Sequence, residues 1–179
     1  MLGKRFLLYP LLGLLFLAIS YLTFHYLYLG RGEPEIYLLP DGFTGPVVMV
    51  FDWDEGKPIR YEDGKRVYDI PPDGVFVTNN RGNPGHLLSG DRQFFHVARN
   101  GSRSSISESP DWQSDLKRLR GSEAFENVTA FAFRYGTAVV TYKGATNWCF
   151  FVAFVIGRLE EWQSLVSRRD ALSKTLFAK

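Results

Sequence analysis

Between Ile36 and Asn80 no run longer than six residues is free of Pro, Gly and Asp. A helix of ordinary length cannot form across such punctuation, because each proline removes a donor and Gly and Asp favour turns. The residues between the breaks are largely aliphatic, aromatic or β-branched: 36–39, 47–51, 66–70 and 75–78. The stretch therefore reads as short strands joined by tight turns. Pro40-Asp41-Gly42, Glu62-Asp63-Gly64-Lys65 and Pro71-Pro72-Asp73-Gly74 supply those turns. Only the turn chemistry recurs, not the flanking pattern, so no sequence repeat is read here.

Strand-like and helix-like segments alternate through the rest of the chain. Residues 79–91, rich in Asn, Gly and Pro, predict a loop, and 92–98, with Phe94, Phe95 and Val97, predict a strand. The serine-rich residues 100–110 predict a mobile loop. A short helix is expected over 111–119, where Trp112, Leu116 and Leu119 fall at helical spacing. Residues 127–135 alternate, with Val128, Ala130 and Ala132 on one face and Phe131, Phe133 and Tyr135 on the other. Gly136 predicts a turn into a further strand over 137–142, and Lys143-Gly144 a second turn. Residues 148–156 are strongly apolar but too few to cross a bilayer as a helix, so a buried central strand is expected. Over 158–174, Leu159, Trp162, Leu165, Val166 and Leu172 form one stripe of an amphipathic helix.

The N-terminus is of a different kind. From Phe6 to Leu29 there is no Asp, Glu, Lys or Arg. As a helix these residues would reach roughly 36 Å, against a hydrocarbon core of about 30 Å. Lys4 and Arg5 precede the segment, while Arg31, Glu33 and Glu35 follow it. That asymmetry predicts a cytoplasmic N-terminus and an exported remainder. A cleaved signal peptide is the competing reading, since Ala18-Ile19-Ser20 offers small residues where a peptidase reads them. Cleavage there would leave the apolar residues 21–29 as an exposed start, which favours an uncleaved anchor.

Charge and cysteine content narrow the function classes. Lysine and arginine number 21 and the acids 19. Scattered bases and an exported location argue against nucleic-acid binding. The acids concentrate between Glu33 and Asp73, where ten face four bases. The basic excess lies after Gly74, so two complementary parts of one domain are expected. Cys149 is the only cysteine. An intramolecular disulfide and a multi-cysteine zinc site are thereby ruled out, and Cys149 itself reads as a small core residue.

Residues 37–47 (Tyr-Leu-Leu-Pro-Asp-Gly-Phe-Thr-Gly-Pro-Val), Gly56-Lys57-Pro58, residues 64–71 (Gly-Lys-Arg-Val-Tyr-Asp-Ile-Pro) and Asp73-Gly74-Val75 form a distinctive string. It resembles an uncharacterised bacterial family of exported or membrane-anchored domains of unknown function. Phe154-Val155-Ile156-Gly157, followed by Glu160-Glu161, is similar too. The resemblance implies location and class and brings no catalytic residues. A looser likeness, in the order of strand, Gly-Lys-Pro loop, strand, Asp-Gly turn and strand, is to small β-sandwich modules of the carboxypeptidase-regulatory type. It implies fold alone.

Three groups of side chains could carry chemistry. Asp52, Asp54 and Asp63 lie in and beyond an acidic loop ending at Gly56 and could hold a divalent ion weakly. A calcium loop of the EF-hand kind needs Gly sixth and Glu twelfth, whereas Gly56 is fifth and Asp63 twelfth here. His86 and His96 are ten residues apart, which is not metal-site spacing on a single element. With Asp52 and Asp54 they would support an envelope hydrolase only by converging in one cleft. Phe43, Trp53, Tyr61 and Tyr68 could form either an exposed aromatic surface or part of the core.

The resulting expectation is a mainly β (α+β) protein. Residues 1–5 would be cytoplasmic, 6–29 a transmembrane signal anchor in the lipid bilayer, 30–34 a linker, and 35–179 an exported antiparallel, sandwich-like domain. That domain would carry a short internal helix and a C-terminal amphipathic helix. A non-catalytic interaction or envelope module at the cell membrane fits best, with no cofactor, catalytic residue, nucleic acid or particular protein partner implied.

Overall fold

The computed structural model describes residues 3–24, 30–83, 85, 87–88 and 90–177, the side chains of 3–11 and of 123–124 excepted. Helix α1 (Gly3–Phe24) comes first. Its side chains from Leu12 to Phe24 are all exposed, most of them large and apolar. Among the described residues no helix is long and apolar enough to cross a membrane. The expected anchor, 6–29, continues into 25–29, outside the described residues.

Among the described residues nine strands follow: β1 (Glu35–Pro40), β2 (Gly45–Val50), β3 (Arg60–Glu62), β4 (Lys65–Asp69), β5 (Val75–Val77), β6 (Arg92–Val97), β7 (Arg103–Ser109), β8 (Val128–Tyr142) and β9 (Ala145–Arg158). Helices α2 (Trp112–Arg118) and α3 (Glu123–Glu126) lie between β7 and β8. A 3₁₀ turn (Leu159–Glu161) and α4 (Trp162–Leu176) close the chain. The strands form one sheet in the order β3-β4-β1-β6-β7-β8-β9-β2-β5. Strand β7 is its hinge, pairing antiparallel with β6 through 103–106 and parallel with β8 through 107–109. The sheet folds over at that hinge, and its two halves face each other across one core. Tyr37 of β1 lies 5.4 Å from Phe154 of β9, and Tyr68 of β4 lies 5.7 Å from Phe76 of β5, ring to ring.

The expected antiparallel sandwich is corrected by this topology. The sheet is mixed: β1 runs parallel to both β4 and β6, and β2 runs parallel to β5. The reason lies in the two Pro-Asp-Gly turns. Pro40–Gly45 carries the chain from β1 in one half to β2 in the other, and Pro71–Gly74 carries β4 to β5 in the same way. Both are corners across the core, not hairpin turns. The units β1–corner–β2 and β4–corner–β5 lie side by side, a structural repetition that the flanking residues do not announce. Gly74 nests on the first corner, where an added Cβ would fall 2.2 Å from the Pro46 carbonyl oxygen. The hairpins form instead at Asp63-Gly64 and Lys143-Gly144, whose residues all have positive φ, as a tight two-residue turn demands.

Three further expectations change. Serine-rich residues 103–109 are strand β7, because Ile106 buries into the main core and the backbone completes the ladder between β6 and β8. Gly136 is no turn. It lies inside the 15-residue β8, opposite Phe151, whose ring would be 3.1 Å from a Cβ there. The simple alternation over 127–135 is broken by a bulge between Phe131 and Arg134, with Ala132 at φ 56°. Phe131 therefore packs under the helices while Phe133 joins the core between the sheet halves.

Other expectations hold. Strand β9 is central and buried from Phe151 to Gly157, with Cys149 buried at its start. Helix α4 covers the outer face of one sheet half, burying Leu165 and Leu176 with Leu172 half-buried beside them. Helix α2 forms as expected and packs Trp112 against Trp162, with ring centroids 5.4 Å apart.

Candidate functional site

Strand periodicity decides what faces the interior. Along β1, Tyr37 and Leu39 point into the core, so Glu35, two residues before Tyr37, points the same way. The register sets Glu35 between Arg66 of β4 and Arg92 of β6, and Tyr37 between Tyr68 and Phe94. One end of the folded sheet is thus apolar, and the other is lined by charged and phenolic side chains.

Glu35 is 5% exposed. Its carboxylate accepts hydrogen bonds from Tyr37 Oη at 2.6 Å, Tyr68 Oη at 3.1 Å and Asn83 Nδ2 at 2.9 Å. All three donors are neutral. Burial, reinforced by the Glu35 charge, pushes both phenols well above their ordinary pKa, so they remain protonated donors. Neither flanking arginine forms an ion pair with Glu35, although Arg66 lies against the Tyr68 hydroxyl. Arg66 pairs with Glu33 and donates to the Arg81 carbonyl oxygen at 2.8 Å. Arg92 lies 3.0 Å from Glu108, donates to the Tyr135 hydroxyl and covers the Phe133 ring at 4.5 Å. Glu108 Oε1 lies off the N–H direction, so that contact is an ion pair without a good hydrogen bond. Burial outweighs the Arg92 charge and raises the Glu108 pKa.

Beside this cluster is a cavity of about 330 Å³, within the range of small-molecule sites. Glu35, Asn83, Arg92 and Tyr135 supply its polar wall, and Phe51, Leu87, Phe150 and Val152 its apolar wall. The loop that carries Asn83 and Leu87 is fixed to the stretch before β1. Glu33 and Asn83 exchange two hydrogen bonds, Arg31 pairs with Asp91 at 3.0 Å, and a Cβ on Gly85 would fall 2.1 Å from the Gly32 nitrogen. Arg31, Gly32 and Glu33, in the stretch expected as a linker (30–34), are therefore tied to the loop that lines the site. A larger groove of about 920 Å³ opens between Trp112, Phe125 and Trp162, but its charged residues, Asp111, Lys117, Arg120 and Glu160, are all exposed.

The residues singled out from sequence lie elsewhere. Asp52 and Asp54 occupy the exposed loop after β2, and Asp63 the tip of the β3–β4 hairpin. Among the described residues no three His, Cys, Asp or Glu side chains gather as a metal site would require. His96 Nε2 is 2.9 Å from the Phe43 carbonyl oxygen, ahead of β2, whereas Asp52 follows β2. A six-residue strand, roughly 20 Å, separates the two ends. His86 lies outside the described residues. Of the aromatic set, Trp53 and Tyr68 are buried, Phe43 packs on the core and only Tyr61 is exposed. Cys149 is buried beside the Asp52 carbonyl, and burial, with the nearby Asp52 and Asp54 charges, raises its thiol pKa. That is the opposite of what an activated nucleophile needs.

A family model described as a family of unknown function, DUF6843, matches residues 31–147. The chain belongs to that family. The DUF6843 match includes Glu35, Asn83, Arg92 and Tyr135 of the cavity wall, whereas Phe150 and Val152 lie beyond it. The sequence string at 37–75 falls inside the match, and residues 154–161 fall outside it. No curated protein matches the chain. A 2.75 Å crystal structure of a Bacillus anthracis protein provisionally called a lipoprotein is similar at 17% identity over 70% of each chain. Its TM-score is 0.44, a likeness too loose to speak for this DUF6843 chain.

Sequence reading passed over Glu35, Arg92 and Tyr135. One local signal existed: Glu35 stands in phase with Tyr37 and Leu39 on an otherwise apolar strand, where a charge on the inner face calls for partners. Beyond Tyr37 its partners come from β4 and from the loop before β6, and Arg92 and Tyr135 reach the same cavity from β6 and β8, so only the topology brings them together.

Proposed function

We propose that this chain is a membrane-tethered, extracytoplasmic binding module without catalytic activity. Residues 6–29 act as the anchor, 1–5 remain cytoplasmic, and the β domain presents its interior cavity to a small molecule outside the membrane. The observation that carries the binding reading is the cavity itself. A buried carboxylate, a guanidinium and two phenylalanine rings line one space. The anchor reading rests on the charge-free segment, on the Lys4 and Arg5 that precede it, and on the exposed apolar side chains of α1.

Protease shaving of intact cells and of inverted vesicles tests the topology. The β domain should be digested from the outer face, and the product should stay in the membrane fraction beforehand. Digestion only from the cytoplasmic face would overturn the topology, and release into the soluble fraction would overturn the anchor.

A further inference from the structure

We propose that the tip of the β8–β9 hairpin is a second membrane contact, resting on anionic phospholipid through Trp148 and Lys143. This goes beyond the cavity and rests on the anchor reading above.

Strand sense places the hairpin at the end of the domain where the chain enters. β6 runs parallel to β1, β7 antiparallel to β6, β8 parallel to β7 and β9 antiparallel to β8, so β9 runs in the same sense as β1. Tyr37 of β1 packs against Phe154 of β9. Six residues upstream of each stand Arg31 and Trp148, which therefore lie at the same end. Arg31 is pinned to the domain by Asp91. The proposed anchor ends at Leu29, so the reach from there to Arg31 is at most about 7 Å. So short a tether holds this end of the domain at the lipid headgroups.

At that end the inner face of the hairpin runs past the core. Trp148 is in phase with Phe150, Val152 and Phe154 on β9. Val152 and Phe154 are buried, and the Phe150 ring lies under Gly82, where an added Cβ would meet it. Trp148 is 68% exposed, the most exposed large apolar side chain among the described residues outside α1, and Val139 stands opposite it on β8. Charge agrees with this placement. Between Val128 and Arg158 there is no Asp or Glu, whereas Arg134 and Lys143 are both exposed. Lys143 occupies the tip, over the Tyr142 ring. Tryptophan, tyrosine and lysine on an acid-free hairpin suit a negatively charged headgroup layer. A second copy of the chain could also cover Trp148, but it would account neither for the level shared with Arg31 nor for the missing acids.

The test uses the full chain reconstituted in vesicles of phosphatidylcholine and phosphatidylglycerol, with and without bromine on the acyl chains near the headgroups. Bromine quenches tryptophan that touches lipid, and residues 1–34 contain no Trp, so the signal reports the domain. Brominated vesicles should dim the fluorescence, and Trp148→Phe, a change at the surface, should remove most of that loss. Lys143→Glu should weaken the quenching in these charged vesicles. The vesicles are floated after an alkaline wash in every case. Chain that floats with unquenched tryptophan, or whose quenching survives Trp148→Phe, overturns the hairpin contact and leaves the anchor standing. Unquenched tryptophan with cross-links between hairpins gives the face to a second copy and overturns the contact in the same way. Undiminished quenching in Lys143→Glu overturns the anionic assignment. Chain that fails to float overturns the anchor and the contact with it.

Discussion

Glu35 and Tyr37 illustrate how much a single residue's surroundings contribute here. Tyr37 stacks on Phe94 at 4.5 Å and meets Phe154 edge-on, so its ring belongs to the core while its hydroxyl serves Glu35. Tyr37→Phe keeps the ring and removes one of three donors to a buried carboxylate. The expected loss is about 1–3 kcal/mol in chemical denaturation. In the Glu35→Gln background the same change should cost less, since the charge that needed the donor is gone, and an additive double mutant would count against this pairing. Nothing in the local sequence marks Tyr37 as more than one aromatic residue in a strand. Its apolar neighbours Ile36, Leu38 and Leu39 mark a strand buried on both faces, and only the topology decides that Tyr37 faces the main core.

Among the elements, β8 shows where local reading stops. Its composition announces a strand, but the bulge at Ala132 reverses which side chains face in, and the support for the bulge comes from the far end of the chain. Arg169 of α4, only 9% exposed, donates to the Ala132 carbonyl oxygen and is paired with Asp170 at 2.7 Å. Arg169→Met retains much of the apolar stem and leaves that carbonyl oxygen without its donor. Stability should fall by about 1–3 kcal/mol, read as a lower urea midpoint with unchanged slope. Unchanged stability would mean that the bulge stands without α4. The corners at Pro40–Gly45 and Pro71–Gly74 carry the same lesson. Proline, aspartate and glycine specify that the chain turns, but the same residues suit a hairpin or a crossing between sheet halves. Which one forms depends on where the next strand finds its partner.

At the scale of the whole domain, ion pairs clip distant segments together. Arg31–Asp91 holds the stretch before β1 to the loop before β6, and Arg103–Glu62 joins β7 to β3 at 2.6 Å. Burial opposes the charge on Asp91, but the Leu88 N–H and the Arg31 guanidinium outweigh it and lower its pKa. The hydrogen bond from Arg103 lowers that of Glu62. A carboxyl with a lowered folded pKa contributes stability above its ordinary value and loses it as pH falls through the lowered one. Unfolding midpoints should therefore decline below about pH 4. Asp91→Asn should lower stability at neutral pH and flatten that decline, and a decline of undiminished steepness in the variant would refute the assignment. Glu108 has the opposite sign: its pKa is raised, so its contribution is present at low pH and is lost as pH rises through the raised value.

The sequence by itself determined the β character, the helix over 111–119, the central apolar strand and the closing amphipathic helix, because each is written in a local period or a local turn. It also determined the charge-free N-terminal segment, which no packing can alter. Tertiary structure alone decided that the strands form a single folded mixed sheet, that serine-rich 103–109 completes its ladder, and that Glu35, Asn83, Arg92 and Tyr135 share one cavity. Strand pairing between segments tens of residues apart depends on which backbones meet across the core, and no spacing along the chain encodes that meeting.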